Sequence, residues 1–225
     1  MKKENKKLNM ESLKKKYGDV KVMGVPAEIV KNVLTKTFTP SARAITTVNE
    51  SAHCVTRTPL LRTVAVNLQP KLRYEAELDP TFKQVIPYIV VRYQNKIFCT
   101  HRLGGDARLV GAYSIGTGGH IDEGEDITAG LTREVKEEIG INPEDWLGYI
   151  SKGFILDEST EVNAVHLGIV FDMVINRDDI ECLEKEKLAG EWVTVNQLRE
   201  LYEQDKLESW SRIVCEEFLF KNKEV

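Results

Sequence analysis

Three carboxylates crowd the end of one helical stretch. In Thr132-Arg-Glu-Val-Lys-Glu-Glu-Ile-Gly140, Glu134 and Glu138 are four residues apart and Glu137 lies three beyond Glu134. A helix would bring all three to adjoining positions. The C-terminal end of a helix carries partial negative charge and favours cations. Each like-charge or dipole contact costs only about 0.3–1 kcal/mol, but here every contact has the same unfavourable sign. A bound divalent cation would reverse it. On its own, E-x-x-E-E is usually a solvated acidic face, so the surrounding residues must decide.

Those residues outline the elements that would position the carboxylates. Ile127, Leu131, Val135 and Ile139 recur every four residues as a buried stripe, predicting a helix over 126–139. Gly140 stands where a helix C-cap glycine belongs, with Pro143 just beyond. A glycine-rich segment, Ser114-Ile-Gly-Thr-Gly-Gly-His120, precedes the helix. Upstream, Val85–Tyr93 and Ile97–Thr100 form an expected hairpin about Gln94-Asn-Lys. Downstream, 146–156, 163–175 and 191–194 read as strands, and 195–202 and 207–220 as amphipathic helices. Strands, a helix, strands and closing helices imply a mixed sheet covered by helices. From Tyr17 to Pro80 the pattern is weaker: a helix over 26–34, a turn at Thr39-Pro-Ser, and strands over 44–48 and 63–68.

Taken together, residues 119–141 read G-x5-E-x7-R-E-V-x-E-E-I-G-I. This resembles the signature of the Nudix hydrolases, with each defining position occupied. The resemblance implies an α/β fold, the Nudix-type α/β/α sandwich with a mixed sheet, and Mg2+-dependent hydrolysis of a phosphoanhydride in a nucleoside diphosphate linked to another moiety. Mn2+ is the expected substitute ion. It implies metal ligation by Glu134, Glu137, Glu138 and the Gly119 carbonyl. Arg133 would orient the carboxylates, and Glu125 would support the loop, the substrate or a second metal. Arg102 stands where family members often carry a phosphate-binding arginine. Glu134 could be the general base; carboxylates outside the box, Glu186, Glu191, Glu158 and Glu161, are the alternatives. His120 falls at a variable position and reads as a surface loop histidine. Family markers of substrate class are missing: Leu156 and Glu158 stand where a proline or a tyrosine would select ADP-ribose or diadenosine polyphosphates. The alternative function is a nucleotide-sensing regulator with this fold and no catalysis.

Composition limits the other possibilities. The chain has 225 residues, 42% hydrophobic and 29% charged, enough for a true core. Its longest apolar runs fall far short of the roughly 20 residues of a membrane span, and no apolar signal segment follows the basic start. Four cysteines (54, 99, 182, 215) lie far apart without a C-x-x-C, which fits a reducing cytoplasm. The net charge of −4 hides two opposed blocks: +5 over residues 1–16, and −5 over 122–138. Nucleic acid is therefore not an expected partner; a small nucleotide-type diphosphate is. The expected organisation is a flexible lysine-rich tail (1–16), an N-terminal extension (17–80) and the Nudix domain (81–225). In the extension, Phe38, Arg43, Arg57, Arg62, Arg73 and Tyr74 could build a substrate wall or a homodimer surface.

Overall fold

The run Phe-Lys-Gln-Val-Ile-Pro-Tyr-Ile-Val-Val-Arg-Tyr is nearly all apolar or β-branched, as a strand covered on both faces should be. In the computed structural model, which describes residues 9–34, 43–45, 59–104 and 111–220, it forms the central strand β4 (Phe82–Tyr93). Its neighbours are β1 (Lys21–Pro26), β5 (Lys96–Arg102) and β8 (His166–Ile175). β4 and β8 run parallel from Gln84↔His166 to Arg92↔Val174, whereas β1 and β5 are antiparallel to β4. Beyond β8 come β7 (Trp146–Asp157) and β2 (Arg43–Ile45); beyond β1 comes β3 (Gln69–Leu72). β5 also pairs with β6 (Tyr113–Ser114) and β9 (Leu188–Thr194), completing a mixed nine-stranded sheet.

Helices cover both faces. On one, α5 (Ile127–Ile139) and α3 (Pro59–Val66) pack Leu131, Val135, Ile139, Leu60, Leu61 and Val64 onto Val85, Ile89 and Phe171. On the other, α6 (Val195–Glu203) and α7 (Ser209–Val214) pack Leu198, Trp210, Ile213 and Val214 onto Ile86, Tyr88 and Val90. The expected α/β/α sandwich is therefore present.

Two sequence expectations differ from the structure. Residues 63–68 alternate like a strand, yet most of this segment belongs to α3. Pro59 opens that helix, where a missing N–H costs nothing, and the buried set Leu60, Leu61, Val64 follows helical spacing while Val66 is 74% exposed. The lysine-rich tail is helical from Met10: α1 (Met10–Tyr17) has Asn9 as its N-cap, buried Leu13, and Lys14, Lys15 and Lys16 at the end that favours cations. The turn expected at Thr39-Pro-Ser lies outside the described residues. α2 (Ala27–Leu34) follows the expected helix.

Residues 17–80 do not sit apart from the sheet: β1, β2 and β3 are three of its strands. β1 also grips the glycine-rich loop before α5. Met23 N–H donates to the Ile121 carbonyl at 2.8 Å, and Val22 bridges Asp122.

Candidate active site

The carboxylates are set by α5 and its two caps. The Asp126 side chain accepts from Ala129 N–H at 2.8 Å, and Gly140, at φ +68°, closes the other end with bonds to the Lys136 and Val135 carbonyls. Ile127, Leu131, Val135 and Ile139 are buried under the sheet, which fixes the helix rotation. That rotation buries Glu134, leaves Glu138 half-buried and leaves Glu137 exposed.

Arg133 ties the set together. Its Nε and Nη2 donate to the two oxygens of Glu125 at 2.9 and 3.0 Å, the bidentate geometry that a guanidinium favours. Nη1 donates to Glu134 at 2.7 Å and to Glu137 at 3.1 Å, and Nη2 donates to the His120 carbonyl at 2.7 Å. Hydrogen bonding to Glu125 above all holds the guanidinium firmly protonated. Burial works to raise the Glu125 carboxyl, but Arg133 and the Asp122 N–H hold it below its ordinary value.

Glu138 and Glu134 behave differently. Burial first, and then the charge of Glu134, push the Glu138 carboxyl up to about 7, although Gly118 N–H donates to it at 3.1 Å. Burial also raises Glu134, against the pull of Arg133. These are carboxylates held close together with too little positive charge between them. A divalent cation fits that imbalance.

The glycine-rich loop supplies the opposite wall. Thr117 exchanges two backbone bonds of 2.9 Å with Ile89 on β4. Gly118 then passes so close to the strand, at φ +146°, that a Cβ would lie 1.9 Å from the Pro87 carbonyl oxygen. A Cβ on Gly119 would lie 2.7 Å from both carboxylate oxygens of Glu134. Glycine is therefore needed for the loop backbone to approach the carboxylates. An all-oxygen set of several carboxylates and a backbone carbonyl suits a hard cation such as Mg2+.

Beside this lies a cleft of about 190 Å3, lined by Ile86, Tyr88, Thr100, Arg102, Gly118 and Trp210 among others. Tyr88 OH donates to Glu208 at 2.8 Å and lies 2.8 Å from Ser211 Oγ. Glu208 is also the N-cap of α7, so a single carboxylate fixes both the helix start and the cleft wall. Trp210 meets the Tyr88 ring edge-on at 5.7 Å.

The structure brings Gly119, Glu125, Arg133, Glu134 and Glu137 into one contact network, with Glu138 joined to it through Gly118 and the charge of Glu134. Arg102 lines the cleft beside Gly118, and its charge acts on Glu138. The outlying carboxylates are elsewhere engaged or exposed. Glu158 pairs with buried Lys83 at 2.9 Å, whose hydrogen bond lowers its carboxyl. Glu161 and Glu186 are exposed, as is Glu191, which stands opposite Cys99 on β5. The carboxylate whose charge reaches Glu138 is instead Glu184, next to Leu183, whose N–H donates to the Glu138 carbonyl at 2.8 Å. The acidic run Glu181-Cys-Leu-Glu-Lys-Glu-Lys was visible in the sequence, but nothing local to it said which acid folds back onto the helix. Tyr88, a hydroxyl inside an apolar strand, was the legible sign of the cleft.

His120 is not a plain surface residue. Its ring is half-buried, with Nε2 3.3 Å from Nε2 of His166. Burial, with help from Arg73, His166 and Arg133, holds it well below the ordinary histidine value. In the extension, Tyr74 is buried and Arg73 stacks over Tyr17 at 4.3 Å; neither lines the cleft. Arg62 is exposed, whereas Phe38 and Arg57 lie outside the described residues.

Comparison with known proteins places this geometry. Residues 83–217 match the model of the NUDIX domain. Protein YmaB of Bacillus subtilis (strain 168) is 37% identical over 154 residues, covering 64% of this chain and 75% of YmaB. The crystal structure of Tm1382, assigned as a Nudix hydrolase, superposes with a TM-score of 0.69 at 26% identity, over 89% of this chain and 99% of Tm1382. DR0079 from Deinococcus radiodurans shares the fold at a TM-score of 0.51 and 15% identity, over 77% and 97% of the two chains. With the matched domain spanning more than half its length and the signature folded into one carboxylate network, the chain belongs to the Nudix family and is a Nudix-type pyrophosphohydrolase.

Proposed function

We propose that the protein hydrolyses a phosphoanhydride in a nucleoside diphosphate derivative, with Mg2+ as its ion. The single observation that supports this best is the Glu134–Glu137–Glu138 cluster, under-neutralised and walled by Gly119, beside a cleft that contains Arg102.

In this reading Glu134, Glu137, Glu138 and the Gly119 carbonyl hold the ion. When bound, it would neutralise phosphate charge, lower the pKa of a water and stabilise the leaving phosphate. Arg133 keeps Glu134 and Glu137 in place through Nη1 while anchoring itself on Glu125. Glu134 is the proton acceptor we assign, because it lies against the Gly119 backbone and its carboxyl is raised toward working pH. Arg102 binds a phosphate oxygen at the cleft edge, and Tyr88, Ile86 and Trp210 offer an aromatic and apolar wall to the group beyond the diphosphate.

A homodimer through residues 17–80 would have to form away from the open edge of β3, where Pro70 lacks an N–H to offer a further strand. No helix among the described residues is long and apolar enough to cross a membrane. A reducing cytoplasm fits the unpaired, buried Cys99, Cys182 and Cys215, with the Cys99 thiol pushed by burial up to about 12.

The test is a panel of nucleoside diphosphates, triphosphates and diphosphate-linked sugars with Mg2+ or Mn2+, read by phosphate release and chromatography. Turnover of at least one member, lost in Glu138→Gln, is the expected result. Silence across the panel, or full activity in that variant, would refute the assignment.

A further inference from the structure

His120 turns its carbonyl to Arg133 and its ring the other way, to His166 at the start of β8. The two Nε2 atoms are 3.3 Å apart. Ligand atoms about 2.0–2.1 Å from a tetrahedral ion are separated by roughly the same distance, about 3.3 Å. A carboxylate oxygen of Glu77, at the C-cap of α4 (Arg73–Ala76), completes a group whose ligand atoms all lie within 4.8 Å of one another. We propose that Glu77, His120 and His166 form a second metal site, separate from the carboxylates of α5, which takes a transition-metal ion of the Zn2+ type.

The chemistry of each ligand supports this. His166 Nδ1 lies 2.7 Å from the Val162 carbonyl, an oxygen that can only accept, so Nδ1 bears the proton and neutral His166 presents a bare Nε2. A backbone carbonyl on the far nitrogen is how metal-binding histidines are commonly oriented. Glu77 is only 10% exposed, and its contact with Arg73 Nε, at 3.4 Å, is long for a charge-assisted hydrogen bond. The carboxylate is thus held near the imidazoles without being fully satisfied. Beside His166, the register partner Gln84 is completely buried, with neither its amide nitrogen nor its oxygen hydrogen-bonded. In a parallel pair these two side chains share one face of the sheet, so unspent polar capacity adjoins the cluster. Two imidazoles and one carboxylate select Zn2+, Co2+ or Ni2+ over Mg2+, so the two sites would take different ions. The ion would cross-link α4, the glycine-rich loop and β8, three segments remote in sequence. The simpler reading is a ring-to-ring hydrogen bond in which His120 donates to His166, and it requires no affinity for metal.

The full chain, stripped with chelator, is titrated with Zn2+ by calorimetry and with Co2+ by visible absorption. The background is Glu134→Gln/Glu138→Gln, which disables the carboxylate site. One equivalent of Zn2+ should bind, Co2+ should show the intense bands of a four- or five-coordinate site, and Zn2+ should raise the unfolding temperature. His166→Gln should abolish all three signals. Glu77→Gln, which leaves both rings in place, should weaken affinity at least tenfold and covers the case of an unfolded histidine variant. No binding in the double variant, or binding unchanged by His166→Gln and Glu77→Gln, would overturn the site. Because the readout is binding and stability, the result does not depend on whether the hydrolase substrate has been identified.

Discussion

At the scale of single residues, Gly119 and Glu138 make opposite demands. Gly119→Ala places a methyl group 2.7 Å from both oxygens of Glu134, and the flexible end of Glu134 is what must yield. We therefore expect a folded protein whose unfolding temperature is nearly unchanged and whose kcat falls about 100-fold, the order expected for a catalytic group misplaced by an ångström. Loss of folding together with activity, seen by circular dichroism, would contradict this. Glu138 is raised to about 7 in the metal-free protein, so the folded state holds its proton more tightly than the unfolded chain does. The native state then binds more protons between about 4.5 and 7, and stability falls as pH rises through that window. Glu138→Gln should remove that slope. Above pH 7.5 in chelator it should stabilise the protein by on the order of 2 kcal/mol while abolishing turnover. Urea unfolding of both proteins at pH 5 and pH 8 tests this. A wild type equally stable at both, relative to the variant, would refute it.

At the scale of elements, α5 was legible because all that defines it is local. The four-residue stripe, the Asp126 cap, Gly140 and the carboxylate spacing all lie within one short segment, and Arg133 reaches Glu125, Glu134 and Glu137 without help from elsewhere. Replacing Arg133 with Lys keeps the charge but offers a point donor in place of a planar fork. Glu125, Glu134 and the His120 carbonyl could not all be held at once. Activity should drop about 10- to 100-fold, with the metal concentration for half-maximal rate rising more than KM for substrate. An unchanged metal dependence would show that the fork does not orient the ligands. Other elements were opaque for the converse reason. Thr63-Val-Ala-Val alternates in sequence, but the helix α3 is imposed by burial of Leu60, Leu61 and Val64 against the sheet. His120 and His166 meet only because β8 runs parallel to β4 and the glycine-rich loop crosses nearby, and neither fact is written near either residue. Glu184 likewise reaches Glu138 through a loop whose course depends on packing.

At the scale of the whole molecule, the segment that looked like an appendage holds the active-site loop. β1 lies on the same edge of β4 as Thr117 and β5, so the glycine-rich loop is seated between strands and bonded on both sides: Thr117 to Ile89, Ile121 to Met23. Val22 and Val25 are fully buried in doing this, and each such side chain contributes about 1.5–3 kcal/mol. Removing residues 1–26 therefore deletes at least about 3 kcal/mol of burial, a large part of the stability of an ordinary domain, and leaves the β4 edge open to other chains. The truncated protein should aggregate or unfold at markedly lower temperature, and any folded fraction should turn over substrate slowly because Ile121 has lost its anchor. Lys21→Ala is the control. Its ion pair with Glu123, 2.8 Å long, is about half exposed on both sides and should contribute under about 0.5 kcal/mol. Size-exclusion chromatography and thermal unfolding of the two proteins separate strand pairing from surface charge. A truncated protein that is monodisperse, with wild-type unfolding temperature and kcat, would show that the loop is held from β4 alone.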